Sequence, residues 1–318
     1  MLPKISIVTP SYNQGVYIEE TILSIINQGY SNLELIIIDG GSKDDTVDII
    51  KKYQDKIAYW VSEPDNGQAH AINKGLQLAT GEVFNWINSD DILEKDALKT
   101  VGDFFQKNND KNVLCGLTRC FWQDTNETSH EYRMGLKGSV LETITGIEMN
   151  QPGTFYRTSA VTTLGGVNES LCYVFDDELW LRYLCAYGLS GIGLTEKRLA
   201  QFRLHRNSKS VSEGSAPFRK ERHSLYIDIA RSAGAFEWLI EKMCTEAHAE
   251  TYTSKKPWNL QELDTEKYKA QFAANYLHTL YLEGRKKEAK EALKLIVNND
   301  CFVWNRIFTS LRVKLMFS

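Results

Sequence analysis

The sequence predicts an α/β protein with a mostly parallel, Rossmann-like sheet flanked by helices, followed by an all-helical C-terminal extension. Short β-branched runs alternate with amphipathic helical patterns through the first third of the chain. The run LELIIID (33–39) is short, β-branched and ends on Asp39, which suits a parallel strand buried on both faces. After about Pro217 the strand patterns nearly vanish and helical patterns continue.

Four strand patterns and three helical patterns make up the N-terminal part. The strands cover residues 4–9, 33–39, 57–62 and 82–88, and the helices cover residues 16–27, 44–53 and 68–79. The first helix places Ile18, Ile22, Ile25 and Ile26 on one face. The second has acidic residues early and basic residues late, which suits the helix dipole. We therefore expect helices on both faces of a parallel sheet.

The middle of the chain is mixed. Strand patterns cover residues 115–124, 151–157 and 198–205, and a helical pattern covers residues 175–188. The segment 208–217, SKSVSEGSAP, has the composition of a linker. We therefore predict one domain over residues 1–214, with two halves that divide near residue 110, and a helical region over residues 215–318.

Composition narrows the class of protein. The 318 residues are 42% hydrophobic and 25% charged, as in an ordinary soluble globular protein. A net charge of −4 argues against general nucleic-acid binding. Six cysteines without CxxC pairs argue against a zinc site and a disulfide scaffold, and they favour a reduced, cytoplasmic setting. The N-terminus lacks the features of a secretory signal, and apolar runs such as Leu35–Ile38 are far too short to span a bilayer.

Four polar loops follow the predicted strands. They are TPSYN at 9–13, DGGS at 39–42, EPDNG at 63–67 and NSDD at 88–91. Ligands on open parallel sheets bind beyond the carboxyl ends of the strands. The loops are therefore expected to converge on one binding edge.

The adjacent carboxylates of Asp90 and Asp91 allow two interpretations. Mg²⁺ takes one or two carboxylates together with phosphate oxygens, so this pair can hold a cation beside a diphosphate. The other interpretation makes Asp91 the N-cap of a helix that begins near residue 94.

Three other polar positions are equally open from the residues alone. Asp39 either accepts hydrogen bonds from a ligand or shapes an Asp-Gly turn. Asp176 and Glu178 either supply a general base or are acidic residues stabilised by the dipole at a helix N-terminus. His205 either binds a metal or phosphate or is structural.

Together these segments resemble the family 2 glycosyltransferases with a GT-A fold, and especially those of surface-polysaccharide assembly. The matching segments are TPSYNQ (9–14), IIIDGGSKDDT (36–46), SEPDNGQAHAINKGLQLATGE (62–82), NSDD (88–91), QPGTFYR (151–157), FDDELWLR (175–182) and FRLHRNSKS (202–210). They occur in the family's order over about residues 4–210. The resemblance implies an inverting transfer of a sugar from a nucleoside-diphosphate sugar, UDP first among the bases, to a saccharide or lipid-linked saccharide acceptor.

The resemblance also implies roles for individual residues. The residues implied to bind the donor are Thr9, Pro10, Tyr12, Asn13, Asp39, Gly40, Asp65, Asn66, Gly67, Asn73, Asn88, Ser89 and Asp90. The implied ligands of Mn²⁺ or Mg²⁺ are Asp90, Asp91 and His205, and the implied acceptor contacts are Gln151 and Trp180. Asp176 is the implied base, with Glu178 as its fallback. The first half then binds the nucleotide and the second half the acceptor.

Two positions depart from the family pattern. Asn88 stands at the first acidic position of the DxD-type element, which removes one charge near the metal. Phe175 replaces the glutamate of the family's "ED" pair. These departures keep a non-catalytic carbohydrate-binding protein open as an alternative. A sugar nucleotidyltransferase is a weaker alternative, because the loop after the first strand has one glycine and no basic residue.

The C-terminal third lies outside the resemblance. Apolar residues recur at helical spacing with basic residues between them: Trp304, Ile307, Phe308, Leu311 and Leu315, with Arg306, Arg312 and Lys314. This pattern is typical of a basic amphipathic helix at an anionic membrane surface, and equally of a helix packed on its own domain. The first interpretation places the protein at the inner face of the cell membrane.

Overall fold

The computed structural model describes residues 1–246 and 257–297. Two compact units divide the chain, the first Met1–Phe218 and the second beginning at Arg219. The basic amphipathic segment around residues 304–315 lies outside the described residues, as does Cys301. The domain boundary near residue 215 stays a proposal.

The N-terminal half of the first unit follows the predicted alternation. Its elements are β1 (Ile5–Ser11), α1 (Ile18–Ile26), β2 (Leu33–Asp39), α2 (Thr46–Lys52), β3 (Tyr59–Ser62), α3 (Gln68–Leu78) and β4 (Val83–Trp86). The strands are all parallel, in the order β3-β2-β1-β4. The predicted strands and helices of this half are confirmed.

The second half of the first unit completes a mixed sheet. Its elements are β5 (Ile92–Leu93), α4 (Ala97–Lys107), β6 (Val113–Trp122), β7 (Thr128–Tyr132), α5 (Val140–Thr145), β8 (Thr154–Arg157), α6 (Thr158–Leu164), α7 (Phe175–Tyr187), β9 (Ile192–Leu204) and α8 (Lys209–Ser212). Strand β8 is antiparallel to both β4 and β6, whereas β6 and β9 are parallel. Strands β5 and β7 add antiparallel partners to β9 and β6. Parallel pairing is therefore confined to β1–β4 and to the β6–β9 pair.

All the regular secondary structure that the structure describes in the second unit is helical. It contains α9 (Ser215–Ser232, which begins in the first unit), α10 (Glu237–Glu246), α11 (Thr265–Leu282) and α12 (Lys286–Val297). Within this unit the Trp258 indole donates to Asp228 Oδ2 at 2.7 Å. None of the helices in the described ranges combines the length and apolar character that a membrane crossing requires.

The core of the first unit lies where the helices cover the sheet. Ile18, Ile22 and Ile25 of α1 are fully buried, as their spacing predicts. Helix α3 lies directly on β1, because Gly75 has no side chain to hold them apart. A Cβ atom at Gly75 would lie 2.4 Å from Val8 Cγ1. These contacts fix the helix N-termini relative to the strand ends.

Glu34 of β2 links the starts of β1, β2 and β4, at the edge of the sheet where these parallel strands begin. Its carboxylate accepts from the Lys4 ammonium and the Ser6 hydroxyl, each at 2.5 Å, and from the Thr80 backbone N–H at 2.8 Å. Burial alone would raise the pKa of Glu34, but the hydrogen bonds from Lys4, Ser6 and Thr80 outweigh it and lower the pKa to about 2. Glu34 therefore stabilises the fold in its ionised form.

Glu34→Gln should make stability less dependent on pH. The folded-state pKa lies below the ordinary value of 4.5, so the carboxylate contributes fully above pH 4.5 and loses its contribution as pH falls towards 2. We expect the variant to be about 2 kcal/mol less stable at pH 7, with a smaller difference at pH 3. Urea unfolding at both pH values measures this.

Asp48→Asn is the control for this prediction, because Asp48 forms an exposed pair with Lys51 at 3.2 Å. It should change stability by less than about 0.5 kcal/mol at either pH. A difference between wild type and Glu34→Gln that grows as pH falls would contradict the stabilising role of the ionised carboxylate.

Candidate active site

The carboxyl ends of β1, β2, β3 and β4 meet at one edge of the sheet. The Gly40 N–H donates to the Ser11 carbonyl at 2.8 Å, and the Glu63 N–H donates to the Asp39 carbonyl at 3.0 Å. The Gln68 amide, at the start of α3, donates to Asn88 Oδ1 at 2.7 Å. The four polar loops therefore converge as predicted.

The loop after β1 is tied to the loop after β2. Asn13 adopts a left-handed conformation, with φ of 52°, and its side-chain oxygen accepts from the Lys43 N–H at 2.8 Å. The Asn13 N–H donates to the Ser42 hydroxyl at 2.7 Å. Tyr12, the residue before Asn13, is 59% exposed. Thr9 and Pro10 are buried within β1. Tyr12 is thus an aromatic surface that a planar base can stack against.

Asp39 organises its own turn. Its Oδ2 accepts from the backbone N–H groups of Gly41 and Ser42, at 3.1 and 2.9 Å, and from the Ser62 hydroxyl at 2.6 Å. The carboxylate is completely buried and its Oδ1 accepts from the Ser42 hydroxyl. This geometry favours the turn-forming interpretation of Asp39 over a direct contact with a base.

The loop after β3 packs against the Asp39 turn and leads into α3. A Cβ atom at Gly40 would lie 3.1 Å from Asp65 Oδ2, so these two loops touch. Asp65 Oδ1 accepts from the Gly67 N–H at 2.8 Å, and Gly67 has a φ of 106°, which favours glycine. Asn66 is exposed beside them. The start of an eleven-residue helix therefore faces the edge, and helix N-termini favour phosphate groups.

Asp91 is held by protein donors. It is 1% exposed, and its carboxylate accepts from the Arg203 N–H and the Asn88 amide, each at 3.1 Å. Burial and the neighbouring Asp90 raise the pKa of Asp91 well above its usual range, although the bonds from Arg203 and Asn88 oppose the rise. The helix-cap interpretation is wrong, because α4 begins at Ala97 and follows Asp96. Asp91 therefore organises the loop through these two hydrogen bonds.

Asp90 and His205 face each other at the same edge. Asp90 Oδ2 lies 3.0 Å from His205 Nε2, and the Asp90 side chain is 19% exposed. The His205 imidazole is buried, and its Nδ1 has no hydrogen-bond partner among the residues that the structure describes. The ring packs against Tyr17, with centroids 4.4 Å apart. Of the three predicted metal ligands, the structure brings these two together.

Asp90 and His205 share a hydrogen bond at 3.0 Å, a separation that two adjacent ligands of one divalent cation can also have. Two ligands at right angles on one octahedral cation, each at about 2.1 Å, lie about 3.0 Å apart. The described ranges contain no group of three or more His, Cys, Asp or Glu side chains arranged for a metal. A cation held by Asp90 and His205 would therefore take its remaining ligands from substrate oxygens and water, as Mg²⁺ commonly does.

The first turn of α7 presents three acidic side chains. Asp176 is half-buried, whereas Asp177 and Glu178 are buried. Both Glu178 oxygens accept from the Arg182 guanidinium, at 2.8 and 2.6 Å, and Arg182 also donates to the Gly166 carbonyl at 2.6 Å. This pair fixes the loop before α7. It favours Asp176 over Glu178 as the group that can accept a proton.

The structure places three predicted ligand-contact residues inside the protein. Trp180 is 1% exposed and stacks on Tyr183 with centroids 5.5 Å apart, so it is a core residue of α7. Gln151 is buried and donates to the Trp86 carbonyl at 2.7 Å, which ties its loop to β4. Asn73 bonds both the N–H and the carbonyl of Val167, at 3.0 and 2.9 Å. All three side chains hold loops or core rather than an open surface.

Two residues at this edge were not predicted. Arg203 is 3% exposed and donates from Nε to the Asp90 carbonyl at 2.7 Å. Tyr17 contacts both His205 and Arg203. The signal in the sequence was an arginine between Phe202 and Leu204 in an apolar strand, since a buried arginine requires several acceptors.

Comparison with known proteins gives the same family. The sequence pattern described as "Glycosyl transferase family 2" matches residues 6–164, half of the chain. An uncharacterized glycosyltransferase of Rickettsia prowazekii, RP339, is 28% identical over 214 residues, which cover 64% of each chain. The chain thus spans somewhat less than two thirds of that relative's length. The putative teichuronic acid biosynthesis glycosyltransferase TuaG of Bacillus subtilis is 29% identical over 72% of this chain and 89% of its own.

Solved structures share the fold. S. aureus TarS 1-349 in complex with UDP has a TM-score of 0.56 and 18% identity, covering 92% of this chain and 78% of TarS 1-349. The mannosyltransferase PcManGT of Pyrobaculum calidifontis, in complex with GDP-Man and Mn²⁺, has a TM-score of 0.51 and 17% identity over 99% of this chain and 86% of its own. The predicted α/β fold class with a helical C-terminal region is confirmed. By its sequence match the chain belongs to glycosyl transferase family 2.

Proposed function

We propose that this protein is an inverting glycosyltransferase that moves a sugar from a nucleoside-diphosphate sugar to an acceptor hydroxyl. The observation that carries the proposal is the approach of Asp90 Oδ2 and His205 Nε2, 3.0 Å apart, at the edge where four polar loops converge. The family match supports the reaction class.

The donor nucleotide is proposed to lie across the loops after β1, β2 and β3. The exposed Tyr12 ring stacks on the base, with Thr9, Pro10 and Asn13 beside it. Asp65, Asn66 and Gly67 line the start of α3, where the helix dipole favours the diphosphate. UDP is the first candidate, because TarS has been solved with UDP and with UDP-GlcNAc.

Asp90 and His205 are the residues proposed to hold Mn²⁺ or Mg²⁺. Such an ion, when bound, neutralises charge that develops on the leaving diphosphate. Asn88 supports this group indirectly, since its amide links Gln68 of α3 to the Asp91 carboxylate. The Mn²⁺ complex of PcManGT is consistent with metal use in the fold.

Asp176 is proposed as the general base. It takes the proton from the acceptor hydroxyl, whose oxygen then attacks the anomeric carbon as the nucleoside diphosphate leaves from the opposite face. This displacement inverts the anomeric centre. Glu178 does not share the role, because Arg182 occupies its carboxylate.

The acceptor is proposed to be a saccharide or a lipid-linked saccharide of surface-polysaccharide synthesis. The relative TuaG, named for teichuronic acid biosynthesis, supports this class. A membrane contact through the basic segment near residues 304–315 would suit a lipid-linked acceptor.

Asp176→Asn should reduce turnover without weakening donor binding. General-base assistance contributes about 10²–10⁴-fold, so kcat for release of nucleoside diphosphate should fall by that factor. The Kd for the nucleotide should change less than about twofold. Steady-state kinetics and calorimetry measure these two quantities.

Glu178→Gln is the matched comparison for that experiment. It breaks the buried ion pair with Arg182 and should lower the melting temperature. If wild type binds nucleotide but releases no nucleoside diphosphate from any sugar donor, a non-catalytic binding protein replaces this proposal.

Asp90→Asn should abolish the metal dependence of nucleotide binding. Titrations with UDP, GDP and dTDP, in Mn²⁺ and then in EDTA, should show one nucleotide that binds wild type at least about tenfold more tightly with the ion. The exposed Asp96 has a φ of 61°, which asparagine also adopts, so Asp96→Asn is the control for charge alone. Equal affinities in Mn²⁺ and EDTA for wild type would refute the metal assignment.

A further inference from the structure

Arg203, Tyr17 and His205 form a stack behind the Asp90 loop. The Arg203 guanidinium lies 5.3 Å from the centre of the Tyr17 ring. The His205 imidazole contacts the same ring, and the centroids of these two rings are 4.4 Å apart. Phe121 of β6 also contacts the guanidinium, at 5.0 Å. Arg203 and His205 follow each other closely in the chain, yet Tyr17 comes from the segment just before α1.

The guanidinium group joins several separate elements. Nε donates to the Asp90 carbonyl at 2.7 Å, and Nη2 donates to Glu20 of α1 at 2.6 Å. Nη1 donates to Gln123, just after β6. The backbone N–H of Arg203 in addition holds the Asp91 carboxylate at 3.1 Å. Residue 203 therefore secures both aspartates of the loop, one through its side chain and one through its backbone.

The planar fork of arginine explains why this position needs that residue. Its five N–H donors have fixed directions, so one side chain can reach acceptors in three elements at once. A lysine would keep the charge but present a single ammonium. Because Arg203 is almost fully buried, a missing donor would leave the Asp90 carbonyl or Glu20 without its partner.

We propose that Arg203 and Tyr17 are positioning residues, whose stack holds Asp90 Oδ2 and His205 Nε2 at the separation of two adjacent ligands of one divalent cation. Arg203 fixes Asp90 through the backbone carbonyl of that residue, and Tyr17 fixes the imidazole plane. Neither residue need touch the ion or the substrate. The inference rests on the proposed function, because it assigns the stack to the same cation.

Arg157 offers a matched control for Arg203. It also donates to backbone carbonyls, those of Lys111, Phe105 and Asn108 at 3.0 to 3.2 Å, and its guanidinium lies 5.1 Å from the Phe105 ring. Arg157 pairs in the sheet with Val83, the first residue of β4. It therefore lies at the edge of the sheet opposite the carboxyl ends of the parallel strands. Loss of Arg157 removes similar contacts without touching Asp90 or His205.

The test is the ratio of Kd values for nucleoside diphosphate in EDTA and in Mn²⁺, measured by calorimetry. The probe is whichever of UDP, GDP and dTDP wild type binds most tightly. For Arg203→Gln and Tyr17→Leu we expect the ratio to fall at least about tenfold, while the Kd in EDTA changes less than about threefold. Arg157→Gln should lower the melting temperature and leave the ratio within about twofold of wild type.

Conservative variants separate positioning from bulk packing. Tyr17→Phe keeps the ring and should retain the ratio, and Arg203→Lys should recover only part of it. An unchanged ratio in Arg203→Gln, or an equal loss in Arg157→Gln, would overturn the proposal. Failure of both Arg203 variants to fold, when the Arg157 variant folds, would also overturn it, since Arg203 would then serve the fold and not the site.

The result for wild type shows whether the proposed function fails or only the positioning role of Arg203 and Tyr17 fails. If wild type binds no nucleotide, or binds it equally in EDTA and Mn²⁺, the proposed function itself fails and this inference fails with it. If wild type depends on Mn²⁺ and the Arg203 variants depend on it equally, only the positioning role is lost.

Discussion

The parallel register of β1 between β2 and β4 is the constraint on which the site depends. Ser11 lies beside Asp39, and Val8 lies beside Trp86, so three chain segments leave the sheet at the same edge. At the other edge Glu34 ties the starts of these segments together. Helix α3 can lie on β1 only because residue 75 is glycine. The loops therefore begin from a rigid base, and their short hydrogen bonds complete the edge.

Protein donors divide the carboxylates of this edge into two kinds. Asp39 and Asp91 are buried, and their oxygens accept from backbone N–H groups and polar side chains, so they shape the loops. Asp90 instead faces an imidazole and retains some exposure. The adjacent aspartates thus have different tasks. Asp91 organises the loop, and Asp90 is the residue that we propose binds a cation.

The apolar pattern was enough to predict the first four strands and their helices, because β1, β2 and β4 are buried on both faces. It could not predict β5, which has two residues, or β7, whose residues are all exposed. The convergence of the loops followed from strand direction alone. Trp180 was assigned to the acceptor by the family resemblance, whereas every residue of α7 from Asp177 to Ala186 is buried. The acceptors of Arg203 come from segments distant in the chain, and no local pattern records them.

The most direct test is to locate the ion in crystals of the protein grown with UDP and Mn²⁺, using anomalous scattering from manganese. We expect one peak at the carboxyl edge, within about 2.0–2.3 Å of both Asp90 Oδ2 and His205 Nε2, and in contact with diphosphate oxygens. A peak bonded to Asp91 without Asp90, or UDP bound at this edge with no manganese near His205, would contradict this expectation.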